Sequence, residues 1–297
     1  MLLGSFFKRV GLIDESFSAK MNKFAFAVAL PALLFQDISA VDIRKSWNGG
    51  FVLFCFIATF LSITGVTVLS FFVVKREERG EFVQGAYRSS AAILGIAFIQ
   101  NIYGTSGMAP LMIIGTVPLY NAFAVIVLSL LKPGQRKMDK ALLQKTLKGI
   151  VTNPIILGIA AGFVWAILKI PQPEILQKTV KNMAVLATPL GLMAMGASFE
   201  GKKALGKLKP TLIASALKLV VLAAIFLPLA VRLGYRESEL VAILVMLGSA
   251  TTVSSFVMAR NMGHEGVLTS SIVMVTTLCS AFTLTGWLFL LKTLGLV

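Results

Sequence analysis

Nine stretches of mostly apolar residues occupy the greater part of this 297-residue chain: 20–38, 50–74, 85–103, 107–131, 146–169, 178–198, 210–232, 238–262 and 267–294. A helix needs about 20 such residues to cross a bilayer, and each stretch meets or nearly meets that length. The expected fold is therefore an all-α polytopic membrane protein. No connection is long enough for a soluble domain; the longest, 132–145, is basic and opens with Lys-Pro-Gly. The charges agree with lipid. All thirteen acidic residues, from Asp14 to Glu265, fall in or beside a polar connection. A carboxylate at the bilayer centre costs on the order of 3 kcal/mol or more, so this exclusion is what lipid demands. Composition points the same way, with 57% hydrophobic residues and a mean hydropathy of +0.85.

The net charge of +15 would suit a nucleic-acid binder, but the bases sit in short loops between apolar stretches. That is the positive-inside pattern of a multi-pass protein. Nineteen bases fall in the connections of one side, among them Lys75, Arg76, Arg79 and Arg88; eight fall on the other, and Lys218 lies inside a stretch. The bias predicts a cell (plasma) membrane protein with its C-terminus outside. Cys55 and Cys279 lie within apolar stretches and read as small apolar fillers. One histidine, His264, in a connection where solvation is expected, suggests no metal site. No nucleophile–base pair is recognisable, so an enzyme is not expected.

The second half of the chain overlays the first. At an offset of 158, Lys20, Lys23, Ala29 and Pro31 fall on Lys178, Lys181, Ala187 and Pro189, and Gly4 falls on Gly162. At 159, Gly104 and Gly107 fall on Gly263 and Gly266. Counting the N-terminal residues as a first helix, each unit has five helices, and an odd number makes the repeats inverted (1–131 and 146–297). Weak internal symmetry of this kind is a mark of secondary transporters, whose sites lie at the repeat interface on broken helices. Met1 overlays Ile159, so the first helix is expected to be truncated.

Two stretches concentrate small and hydroxylated residues: the fourth helix, RSSAAILGIAFIQNIYGTSG, and the ninth, LVMLGSATTVSSFVMARNMG. They fit two readings. Broken, crossing helices would turn free N–H groups and positive dipole ends toward an anion; alternatively, small residues let helices pack closely. Gln100 and Asn101 end the fourth helix as caps or as contacts. Asn121 lies deep in 107–131, where an amide needs partners such as a cavity supplies. Asn153 with Pro154 suits a kink. Lys218, about nine residues into 210–232, either snorkels to the surface or serves function. With no carboxylate expected at mid-depth, this set suits an anion or a neutral polar solute better than a cation. The coupling ion, sodium or proton, stays open.

The stretches KMNKFAFAVALPALLF (20–35), RSSAAILGIAFIQNIYG (88–104), PLYNAFAVIVLSLL (118–131), NPIILGIAAG (153–162), ATPLGLMAMGAS (187–198) and TTVSSFVMARNMG (251–263) together resemble the auxin efflux carrier family, in its bacterial branch. The architecture is similar to that of bile acid sodium symporters. The resemblance implies ten helices in two inverted repeats, with helices 4 and 9 crossing at broken centres. It implies a scaffold of helices 1, 2, 6 and 7 (1–38 and 146–198) that is often dimeric. It also implies a transport domain of helices 3–5 and 8–10 (50–131 and 210–294), with elevator-type alternating access for carboxylates. Where relatives carry crossing prolines this chain has Ala97 and Ala250, so the breaks are expected to rest on Gly95 and Gly248; a frequent asparagine is Ser90. The expected function is secondary transport of a small organic anion, with no cofactor and no nucleic acid. The candidate contacts are Ser90, Gly95, Ala97, Gln100, Asn101, Asn121, Lys218, Gly248, Ala250, Thr251, Thr252 and Ser254. A passive channel, or a carrier of a neutral polar solute, is the competing reading.

Overall fold

The computed structural model describes residues 1–40, 47–134 and 140–297. Asp42, Arg44, Lys45, Arg136, Lys137 and Asp139, assigned to connections on sequence, lie outside the described residues. The described residues form helices and no strand, as lipid requires of a chain that must satisfy its own backbone.

Six helices are long and apolar enough to cross a membrane: α2 (Glu15–Ser39), α3 (Gly49–Val73), α6 (Ala109–Leu130), α9 (Glu174–Ala197), α11 (Leu208–Arg232) and α14 (Val267–Thr293). The short α1 (Leu2–Arg9) precedes them. The other three predicted stretches are each interrupted. The stretch 85–103 is divided between α4 (Arg79–Tyr87) and α5 (Ala91–Tyr103). The stretch 146–169 is divided between α7 (Lys140–Val151) and α8 (Pro154–Leu168). The stretch 238–262 is divided between α12 (Glu237–Gly248) and α13 (Ser254–Asn261); a short α10 (Gly201–Gly206) lies between α9 and α11.

Local chemistry explains several ends. Asp14 caps α2 by accepting from the Phe17 N–H at 2.6 Å, and Asn48 caps α3 by accepting from Phe51 at 3.0 Å. Asn153 accepts from the Ile155 N–H at 2.9 Å, with Pro154 at the first helical position. The Asn-Pro pair thus starts a new helix, where a kink was expected. α8 then lies against α2 through its small face: a Cβ on Gly158 would stand 2.7 Å from the Pro31 carbonyl oxygen. A side chain there would force the two helices apart.

α1, α2, α8 and α9 pack on one another, while α3 packs on α6, α5 on α12, and α11 on α12 and α14. Two charge assignments from sequence are corrected by this packing. Glu81 is not in a connection but buried in α4, 2% exposed. Its carboxylate accepts from the Gly266 and Thr269 N–H groups at 2.9 Å each and from the Thr269 hydroxyl at 3.0 Å. It therefore neutralises the positive N-terminus of α14, a favourable place for a negative charge. His264 is buried rather than solvated, and its Nε2 donates to the Leu128 carbonyl at 2.9 Å. Both residues sit close to polar connections in sequence, but neighbouring helices close over them.

Candidate functional site

The two helix interruptions meet. Between α4 and α5 the chain is extended at Arg88 and turns at Ser90; between α12 and α13 it is extended at Ser249. The Ser90 N–H donates to the Ala250 carbonyl at 3.0 Å, and the Thr251 hydroxyl donates to the Gly85 carbonyl at 2.6 Å. Each broken helix thus supplies what the other lost. The last carbonyls of α12 are satisfied in the same way. That of Met246 accepts from the Ser89 hydroxyl at 2.5 Å, from the Tyr120 hydroxyl at 2.8 Å and from Lys218 at 3.3 Å; that of Leu247 accepts from Lys218 at 2.5 Å. Buried backbone carbonyls without partners are costly in a membrane, so these hydroxyls are what make the break tolerable.

The position of the first break corrects the sequence expectation. It lies at Arg88–Ser90, whereas Gly95 is inside α5, where a Cβ would meet only the flexible tip of Met112 at 2.6 Å. The second break follows Gly248, as expected. Ala250 is at the crossing. Ala97, Gln100 and Asn101 lie on exposed positions of α5, away from it.

Beside the crossing is a cleft of about 50 Å³, lined by Leu30, Leu33, Leu34 and Asp37 of α2 on one wall. The facing residues include Arg88, Ser89, Ser90, Tyr120, Asn121, Thr252 and Ser254. Such a volume holds a few water molecules. Of the residues singled out from sequence, the cleft gathers Ser90, Asn121, Thr252 and Ser254. Ala250 and Thr251 hold the crossing together. Lys218 is fully buried and turned to the α12 carbonyls, so it does not snorkel.

The dominant group is Arg88, which the loop count had assigned to a membrane surface. It is 2% exposed. One guanidinium nitrogen donates to Asn121 Oδ1 at 2.6 Å and to the Ser254 hydroxyl at 2.9 Å, and the other meets the Met258 sulfur at 2.9 Å. Asn121 is itself fixed, its amide donating to the Val117 carbonyl at 2.8 Å. Among the described residues no carboxylate lies within 4 Å of Arg88, and its Nε has no partner. A buried guanidinium without a counter-ion is costly. The arrangement favours an incoming anion, and the neighbouring N-termini of α5 and α13, which have no side-chain cap, act in the same sense.

Asp37 is a second correction, because carboxylates were not expected near the site. It lines the same cleft from α2 and has no ion-pair partner within 4 Å among the described residues. Sequence reading missed Arg88 because it lies at the very start of the stretch 85–103 and was counted with the bases of the preceding connection. The clue was the RSS triplet ahead of an apolar run, where a base adjoins two hydroxyls at a helix start.

A protein of Rhizobium meliloti (strain 1021) described as "Putative malonate transporter" is 26% identical over 281 residues, covering 92% of this chain and 86% of its own. A model of the family described as membrane transport protein matches residues 1–288. The chain is therefore a transporter rather than an enzyme, and belongs to the membrane transport protein family, the auxin efflux carrier group that its sequence resembles.

Proposed function

We propose that this protein is a secondary transporter of a small organic anion, a carboxylate, held at the crossing by Arg88. The observation that carries this reading is the buried guanidinium, which lines the cleft with no carboxylate within 4 Å among the described residues. A neutral solute would leave the guanidinium without a direct ion-pair partner in a low-dielectric interior, so charge balance favours an anion. The malonate named for the Rhizobium relative is the natural first compound to test. Access alternates by movement of the crossing helices against the group α1, α2, α8 and α9. This is supported by the position of the cleft, which has α2 as one wall and the crossing as the other. Widening of that boundary admits a ligand that 50 Å³ does not hold. Without Arg88, the bias of loop bases still favours one side, consistent with a C-terminus outside the cell.

A thermal-shift series on the detergent-purified protein tests the reading. Malonate and similar dicarboxylates are expected to raise the melting temperature in a saturable way, because a ligand bound only by the folded state stabilises it by mass action. Uncharged analogues of the same size, such as malonamide, are expected to do nothing. An equal shift with the amide would replace the anion by a neutral solute.

Asp37 supplies a second expected outcome. Its carboxylate faces the cleft and opposes any anion there. Where that carboxylate is ionised, Asp37→Asn is expected to tighten malonate binding by up to roughly fivefold, about 1 kcal/mol of removed repulsion across a partly hydrated gap. Titration calorimetry measures it, and weaker binding in this variant would show that Asp37 contacts the ligand favourably.

A further inference from the structure

The crossing has a second cation, Lys218, which is not among the residues that line the cleft. Lys218 belongs to a π-helical turn, Leu217–Val221, within α11. One extra residue in such a turn rotates the following side chains relative to a regular helix, and turns of this kind concentrate at functional positions. Here the turn carries Lys218 into the protein, where it is 0% exposed. Its ammonium has no carboxylate within 4 Å among the described residues. It is held by backbone alone, by the Leu247 carbonyl at 2.5 Å and the Met246 carbonyl at 3.3 Å. These are the last carbonyls of the half-helix α12, the negative end of its dipole. Two hydroxyls at adjoining points of the chain, Ser215 three residues earlier in α11 and Ser249 at the break, are buried with no partner.

Oxygen atoms at the C-terminal end of an interrupted helix are what broken-helix transporters offer a coupling sodium ion. A monovalent cation there balances the exposed carbonyls and fixes the break. An ammonium carries the same charge and donates to the same oxygens. It differs in being covalently attached, so it neither leaves nor depends on the external ion concentration.

We propose that Lys218 is a tethered cation, occupying the place of a bound sodium at the end of α12 and making the crossing independent of sodium. Its ammonium holds the break in the form that receives the anion, and it does so without touching the anion. The proposal rests on the transporter reading only for its ligand-binding arm; the stability arm stands apart from it.

The test uses the full chain in detergent, in sodium chloride and in choline chloride. The wild-type protein is expected to melt at the same temperature and bind malonate equally in both salts. Lys218→Ala removes a group equal to propylammonium. In choline it is expected to melt lower and to bind malonate about tenfold more weakly, the scale of one lost charged contact. Propylammonium or sodium, at tens of millimolar, is expected to restore most of the melting temperature, while propanol does not. Lys218→Met fills the space without charge; it is expected to melt lower and to gain nothing from either cation.

A wild-type protein that needs sodium overturns the proposal. So does equal rescue of Lys218→Ala by propanol, or a Lys218→Met variant that melts and binds as the wild type does, since either makes the residue mere packing. If Lys218→Ala does not fold, the salt comparison on the wild type and the methionine variant still decide. If malonate fails to bind the wild type, the anion reading fails, and the melting temperatures still judge Lys218.

Discussion

Arg88→Met is expected to weaken malonate binding by at least about 30-fold, while leaving a folded protein. The magnitude follows from removing one member of a desolvated charge pair, which costs about 2–5 kcal/mol, with each 1.4 kcal/mol a factor of ten. Retention of the fold follows from the same physics in reverse. Arg88 is 2% exposed with no carboxylate within 4 Å among the described residues, so exchanging it for an apolar side chain of similar length relieves a desolvation cost. What is lost is the contact to Asn121 Oδ1 and to the Ser254 hydroxyl, leaving two acceptors to find water in the cleft. Arg88→Lys keeps the charge but not the planar fork, and is expected to recover only part of the affinity. Calorimetry for affinity and a melting curve for the fold, measured on the same preparation, separate the two effects. Undiminished binding by the methionine variant would remove Arg88 from the site and the anion reading with it.

The second large effect is on stability. Glu81→Ala is expected to destabilise the protein by ~3–5 kcal/mol, because it leaves the Gly266 and Thr269 N–H groups and the Thr269 hydroxyl without their acceptor in a buried place. The carboxylate also balances the N-terminal end of the 27-residue helix α14. Glu81→Gln keeps one amide oxygen as an acceptor and is expected to lose about half as much. Thermal or denaturant melting in one detergent reads the order wild type, glutamine, alanine. Alanine as stable as the wild type would mean that water replaces the carboxylate, and that α14 does not depend on α4 for its start.

These two residues show why part of the protein was legible in advance and part was not. Membrane class followed from hydropathy because lipid acts on every residue of a span at once, and a 20-residue average reports it. The hydroxyl-rich fourth and ninth stretches stood out for the same reason: a local excess of Ser and Thr in apolar context has few uses. Arg88, Asp37, Glu81 and His264 are single polar residues near segment ends. An average over a window places each in the nearest connection. Whether such a residue meets water or protein depends on which helices pass beside it, and nothing local records that.

The register of the breaks is the sharpest instance. Small residues at Gly95 and Gly248 suggested where the two helices yield, and Gly248 does end α12. Gly95 does not mark a break, because the actual interruption at Arg88–Ser90 is stabilised from outside, by the Ala250 carbonyl and by the α12 carbonyls that receive Ser89. A helix in lipid breaks where a partner can accept its orphaned groups, and the partner is about 160 residues away in the chain. Local composition settled that this chain would be a bundle of apolar helices, since burial in lipid is a property of each segment alone. Packing settled which charges are inside, where the helices break and which atoms face the cleft, since those depend on pairs of segments distant in sequence and adjacent in space.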